Sequence, residues 1–263
     1  MRLRDNRRRR QSGLFLVDGW REAARAVAGG LRPRCVYFVQ DEAAEKRPPE
    51  PANDADVETV MTAAEVIQPL SSAALHRISY GEKTRGVVAE FAEPTWNLEA
   101  LSLSKNAFVL VLDSIEKPGN LGAVFRSADA AGVDAVVLTG RSIDPFNPNA
   151  IRSSLGTLFT VPAAVASREE LESFLIENRF SAFAARPQSS STLWQTPWDG
   201  NVAVVLGSEA NGLGDAWQGT ASLAVKGFRL PMLGKADSLN LSVTAAVVAF
   251  ESTRRRDGRR CKD

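Results

Sequence analysis

Residues 107–113, AFVLVLD, are six apolar positions closed by a carboxylate. A strand that apolar must be covered on both faces, and strands covered on both faces belong to parallel sheets flanked by helices. The same pattern returns in DAVVLTG (134–140) and NVAVVLG (201–207), with shorter apolar runs near Val161 and Phe183. Helical patterns lie between them: Asn120 to Ala131, Pro148 to Leu155 and Arg168 to Asn178. Repeated alternation of this kind predicts an α/β fold with a parallel sheet.

A second, smaller α/β unit is expected in front of it. GLFLVDG (13–19) leads into a helix from Trp20 to Ala28 that stops at Gly29-Gly30, and CVYFVQ (35–40) has the β-branched and aromatic content of a buried strand. Residues 41–56 show no periodicity and are expected to form a surface loop. A helical passage is expected over 62–70, followed by the strand RGVVAEF (85–91). Pro94 marks the break, which gives a first domain over 1–92, a linker over 93–105 and a second domain over 106–263.

Charge is segregated although the net charge is +1. Six arginines against one acid occupy the first ten residues, and six basic residues against two acids occupy the last ten. Arg7, Arg8, Arg9 and Arg10 thus form a basic arm, read either as a solvated tail or as a contact for a phosphate backbone. Arg152, in IRSSLG, is either a phosphate contact or a helix-capping residue. Trp194, Trp198 and Trp217 are candidates for stacking on bases or for packing.

Other chemistries are poorly served. His76 is the only histidine, and Cys35 and Cys261 are far apart in sequence, so neither a zinc site nor a Ser-His-Asp triad is expected. No run reaches transmembrane length and the Arg-rich start lacks the features of a signal peptide, so a cytoplasmic protein is expected. The dinucleotide fingerprint and the phosphate-binding P-loop are both missing.

Ligands in open α/β sheets bind at the loops that follow the strands. Three such loops stand out. In PGNLGAVFRSADAAG, Asn120 is placed to cap a helix and Arg126 lies six residues on. In LGSEANGLGDAW, Gly207 and Gly212 bracket Glu209. In LPMLGKADSLNLS (230–242), Gly234 frees the backbone and Ser238 is expected to cap the helix that follows.

Taken together these loops read N-x-G-x-x-x-R, L-G-x-E-x-x-G-L and P-M-x-G-x-x-x-S-L-N-x-S. In order and spacing they resemble the three motifs of the SpoU (TrmH) family of RNA ribose 2′-O-methyltransferases, over residues 105–250. DPFNPNAIRSSLGTLF (144–159) is similar to a stretch of that family's ribosomal RNA branch. GLFLVDGWREA and KTRGVVAEF resemble the branch's substrate-binding module, a ribosomal-protein-like domain.

The resemblance implies a SPOUT-class fold with a deep trefoil knot, a homodimer, an RNA substrate and no metal. It implies S-adenosylmethionine bound by Leu206, Gly207, Leu230, Met232 and Leu239. Arg126 would be catalytic, with Asn120, Glu209, Ser238 and Asn240 in support. The implied function is 2′-O-methylation of ribosomal RNA, with transfer RNA or a non-catalytic RNA-binding role as alternatives. A guanidinium is a poor base at neutral pH, so clamping a phosphate and stabilising an alkoxide is an equally good account of Arg126.

Overall fold

The computed structural model describes residues 3, 5–39, 53–81, 85–141 and 144–260, with side chains described as far as Arg256. The chain divides into two compact units. One contains Met1–Thr95 and Asp144–Thr160, and the other contains Trp96–Ile143 and Val161–Asp263.

The first unit is built on strands β1 (Leu14–Asp18), β2 (Pro33–Val39), β3 (Ile67–Leu70) and β4 (Val87–Ala92), in the order β1-β4-β2-β3. β4 runs antiparallel to β1 and β2, and β3 runs parallel to β2. Helices α1 (Asn6–Ser12), α2 (Trp20–Ala28), α3 (Asp54–Ala63) and α4 (Ser72–Ile78) accompany the sheet. The segment Asp144–Thr160 adds α6 (Pro148–Ser154) to this unit.

Two expectations change here. The helix foreseen over 62–70 ends at Ala63, and Ile67–Leu70 form a strand instead. Of the loop foreseen over 41–56, residues 41–52 lie outside the described residues, whereas Asn53 caps α3. Its side chain accepts from the Ala55 amide, and Asp54 and Asp56 sit in the first turn, where the helix dipole favours acids.

The basic start is a capped helix. The Asp5 side chain accepts the Arg8 amide, and Gly13 closes α1 in the left-handed conformation. Arg9 turns inward and is only 1% exposed. Its Nε donates to Asp144 Oδ2 at 2.7 Å and its Nη1 to the Leu3 carbonyl at 2.8 Å. Phe15 stacks with Phe91, Phe146 and Phe159 at centroid separations of 4.7–5.7 Å, so the 144–160 segment supplies part of this unit's aromatic core.

The second unit holds β5 (Phe108–Asp113), β6 (Ala135–Thr139), β7 (Ala163–Val165), β8 (Ser181–Ala185), β9 (Val202–Leu206) and β10 (Val225–Phe228). All are parallel, in the order β10-β8-β9-β5-β6-β7. Every residue of β5, β6 and β9 is buried, the double-sided coverage that their apolar runs require. Each buried Val or Leu contributes about 1.5–3 kcal/mol relative to exposure.

Helices α5 (Pro118–Ala131), α7 (Arg168–Glu177) and α8 (Leu241–Arg260) complete this unit, and α5 packs on α8. The Thr253 hydroxyl donates to the Ala131 carbonyl at 2.6 Å. The basic end is not a free arm over its described side chains. Arg254 and Arg255 pair with Glu251, while Arg256 lies over the Phe108 ring and donates to the carbonyls of Asn106 and Ala107. Among the described residues, no helix is long and apolar enough to cross a membrane.

Candidate active site

The three Gly- and Asn-containing loops converge at the C-terminal end of the parallel sheet, inside the second unit. β9 ends at Leu206, and the chain then closes a tight loop in which Ser208 and Gly212 exchange two backbone hydrogen bonds of 3.0 Å. Gly212 has φ +57°, and a Cβ on Gly207 would lie 2.2 Å from the Gly212 carbonyl carbon. Only glycine fits at 207, because the two limbs of the loop touch there.

Glu209 sits on this loop. Its Oε1 accepts from Asn120 Nδ2 at 2.7 Å and its Oε2 from the Glu116 amide at 3.1 Å. Burial alone would raise the carboxyl pKa. The Asn120 bond and the backbone amides of Glu209, Glu116 and Lys117 outweigh it and hold the group below its ordinary value.

Asn120 does not cap α5. The helix begins two residues earlier, with Pro118 at its first position and Lys117 as the cap residue. The Asn120 carboxamide is therefore free for tertiary work: it donates to Glu209 and accepts from Asn240 Nδ2 at 3.3 Å. Nor does Ser238 cap the last helix. α8 starts at Leu241, and Asn240 Oδ1 takes the Ser242 amide and hydroxyl at 2.8 and 2.7 Å. Asn240 is thus the capping residue and at the same time the third member of a chain from Glu209 through Asn120, one residue from each loop.

Beside this chain lies a cleft of about 280 Å³. Leu206, Gly207, Leu230, Met232 and Leu239 all line it, as do Glu209 and Ser238. Arg126 is exposed on α5 and is not among the residues that line the cleft. Arg7, Arg8 and Arg10 are exposed on α1 and Arg152 is exposed on α6, all in the first unit. Arg9 is buried against Asp144, so the arm offers one phosphate contact fewer than its sequence suggests. Trp198 and Trp217 are buried, and Trp194 is half-exposed.

Arg186, Pro187 and Asp113 were not among the sequence candidates. Arg186 and Pro187, just after β8, line the cleft. Asp113, the last residue of β5, is buried and accepts from Arg168 Nε and Nη2 at 2.7 and 2.9 Å, from the Ser114 hydroxyl at 2.7 Å and from Trp217 Nε1 at 2.6 Å. All three stand at or just beyond the C-terminal ends of parallel strands, and that position was the available signal. Among the described residues, no group of three or more His, Cys, Asp or Glu could hold a metal ion.

Residues 107–250, which contain all three loops, match the SpoU rRNA Methylase family. The chain belongs to that family. Residues 1–89 match the MRM3-like substrate binding domain. Over 263 residues this SpoU-family chain is 26% identical to the 23S rRNA (uridine(2479)-2'-O)-methyltransferase of Streptomyces viridochromogenes, spanning 97% of this chain and 87% of that protein. It is 32% identical over 197 residues to the 23S rRNA (guanosine-2'-O-)-methyltransferase RlmB of Bordetella pertussis, spanning 73% and 79%.

Among solved structures, an RNA 2'-O ribose methyltransferase superposes with a TM-score of 0.79 at 32% identity, covering 97% of this chain and 93% of that one. The SpoU methyltransferase AviRb from Streptomyces viridochromogenes, in complex with AdoMet, superposes with a TM-score of 0.82 at 25% identity, covering 97% and 95%. The six-stranded parallel sheet is thus the SPOUT architecture, preceded by a small α/β unit.

Proposed function

We propose that this SpoU-family chain transfers a methyl group from S-adenosylmethionine to a ribose 2′-hydroxyl of ribosomal RNA. The observation that carries the proposal is the Glu209–Asn120–Asn240 chain, which ties all three loops together beside the cleft. A non-catalytic RNA-binding protein has no need of such wiring.

The cleft suits the cofactor chemically. Leu206, Leu230, Met232 and Leu239 offer apolar surface for a purine and a thioether-like chain, while Asp237 and Glu209 bring carboxylates toward a ligand that carries positive charge. When bound, S-adenosylmethionine supplies an electrophilic methyl on a positively charged sulfur. In the transfer one O–C bond would form and one S–C bond would break, the sulfur keeping the electron pair as a neutral thioether, and the hydroxyl proton would pass to solvent water.

The protein's part is placement and electrostatics. Glu209, held ionised by its hydrogen bonds, fixes Asn120, and Asn120 fixes Asn240 at the start of α8. A guanidinium is a poor general base, so the role proposed for Arg126 is to hold the target phosphate and stabilise the developing alkoxide. The exposed arginines of α1 and Arg152, in the unit matching a substrate-binding domain, are the proposed contacts to the RNA backbone.

We further read the Leu230–Asn240 passage as the threaded segment of a trefoil knot, and the working form as a cytoplasmic homodimer. Val243 and Phe250 stand seven residues apart on one face of α8 and are 46% and 52% exposed, and Leu233 is 98% exposed. Sedimentation at equilibrium tests the dimer.

The activity is tested by incubating the protein with radiolabelled S-adenosylmethionine and 23S ribosomal RNA, with transfer RNA in parallel. Label that survives at one linkage resistant to alkaline cleavage, in the ribosomal RNA, is the expected result. Label confined to bases, or taken up by neither RNA, overturns the proposal.

A further inference from the structure

The loop that carries Glu209 is also held at its far end, by a residue outside all three motifs. Trp217 is buried, and its φ of +60° lies in the left-handed region that bulky side chains rarely adopt. Such backbone persists only where the surroundings enforce it. Here they do so from two sides. The indole Nε1 donates to Asp113 Oδ2 at 2.6 Å, and the Trp217 carbonyl accepts from Arg186 Nη2 at 3.1 Å. The Arg186 guanidinium also grips the carbonyls of Gly214 and Ala216, and its side chain lines the cleft.

Asp113 is itself immobilised by Arg168 and by Ser114, the first residue of the loop that leads to Glu116 and Asn120. The two loops that meet at Glu209–Asn120 are therefore cross-linked a second time, through Asp113 and Trp217, residues 104 positions apart.

We propose that Trp217 is a positioning residue whose indole bond to Asp113 sets the placement of the 208–213 loop and with it the affinity of the cleft for S-adenosylmethionine. The proposal rests on the cofactor reading above. A tryptophan serving only to fill the core would keep its packing as the isosteric benzothienylalanine, and most of it as phenylalanine. A positioning tryptophan would not keep its function, because the donor to Asp113 is gone.

Trp217→Phe is the test, with Trp217 replaced by the isosteric benzothienylalanine, which lacks the N–H, as a second variant should phenylalanine prevent folding. Calorimetric titration of S-adenosylmethionine into the wild type comes first. Absence of uptake there sinks the cofactor reading and leaves amide exchange to decide whether Trp217 places the loop. In the variant, affinity is expected to fall roughly tenfold, the scale of one hydrogen bond to a charged group. Amide hydrogen exchange over 208–213 should quicken while that of β5 stays unchanged. Unaltered exchange over 208–213, or faster exchange with unaltered affinity, overturns the proposal.

Discussion

Asn120 Nδ2 lies 2.7 Å from Glu209 Oε1, a contact between residues 89 positions apart that joins the loop after β5 to the loop after β9. Two loops from neighbouring strands thereby share one polar hinge point, and Asn240 extends it to the start of the last helix. The consequences of that wiring can be measured.

Glu209→Gln places an amide where Asn120 Nδ2 and the Glu116 amide both donate, so one donor is left facing another. Turnover should fall by at least about tenfold, because one hydrogen bond to a charged acceptor is lost and replaced by two donors facing each other. Methyl-transfer kinetics at saturating cofactor provide the readout. Wild-type rates would remove Glu209 from the machinery.

Arg126→Ala is expected to lower turnover by about 100-fold or more, the range seen when a donor to a developing oxyanion is removed. Cofactor affinity should hardly change, since Arg126 does not line the cleft. Arg126→Lys should restore little, because an ammonium does not reproduce a planar two-pronged donor. Parallel calorimetry and turnover measurements separate the two effects.

Acid should loosen the site through two carboxylates. Burial would raise the Asp113 pKa, but the hydrogen bonds from Arg168, Ser114 and Trp217 outweigh it and the group sits below its ordinary 3.8. Glu209 likewise sits below its ordinary 4.5. A depressed carboxylate contributes stability that is fully present above its unfolded value and is lost as pH falls through its folded one. Melting temperature should thus show no contribution from either group's titration near neutrality and drop below these values. In Asp113→Asn the part of the drop due to Asp113 should vanish.

Gly207→Ala should cripple the cleft. The added methyl would sit 2.2–2.4 Å from backbone atoms of Gly212 and Leu213, which cannot swing aside as a side chain can. Forced displacement of this kind costs about 1–3 kcal/mol, visible in urea unfolding, and should weaken S-adenosylmethionine binding more than Arg126→Ala does.

The arginines of α1 should divide into two classes. Arg9→Ala leaves Asp144 buried without its cation and should cost about 3–5 kcal/mol in unfolding experiments. Arg7→Ala, on the exposed side, should leave stability within about 0.5 kcal/mol and reduce the salt dependence of RNA binding by about one unit of slope. The sequence run RRRR conceals this difference, because the partner that singles out Arg9 lies 135 residues away.

That distance explains much of what sequence reasoning could and could not reach. The parallel sheet was legible because β5, β6 and β9 are apolar at every position, a pattern that only double-sided burial explains. The stretches at 206–213 and 230–240 were legible as loops because glycine and asparagine are costly inside regular elements, whereas Gly119, Asn120 and Gly122 lie inside α5. β10 was not foreseen: it is four residues long, contains Gly227 and buries only Phe228. Capping by Ser238 was inferred from residue type alone, yet Asn240 holds the Ser242 amide, and no local rule distinguishes two good caps two residues apart. The Asp113–Trp217 bond is tertiary and has no local signature.

The excursion Asp144–Thr160 between β6 and β7 has a bearing on modularity. The match to a substrate-binding domain ends at residue 89, yet the compact unit around it borrows Asp144 for Arg9, Phe146 and Phe159 for Phe15, and the Leu155 carbonyl for Arg25. The front module is therefore not a detachable cassette. A graft of residues 1–95 onto another methyltransferase would carry a buried cation without its anion and a stacked ring without two of its partners. Transfer of this unit intact has to move two separate stretches of gene together.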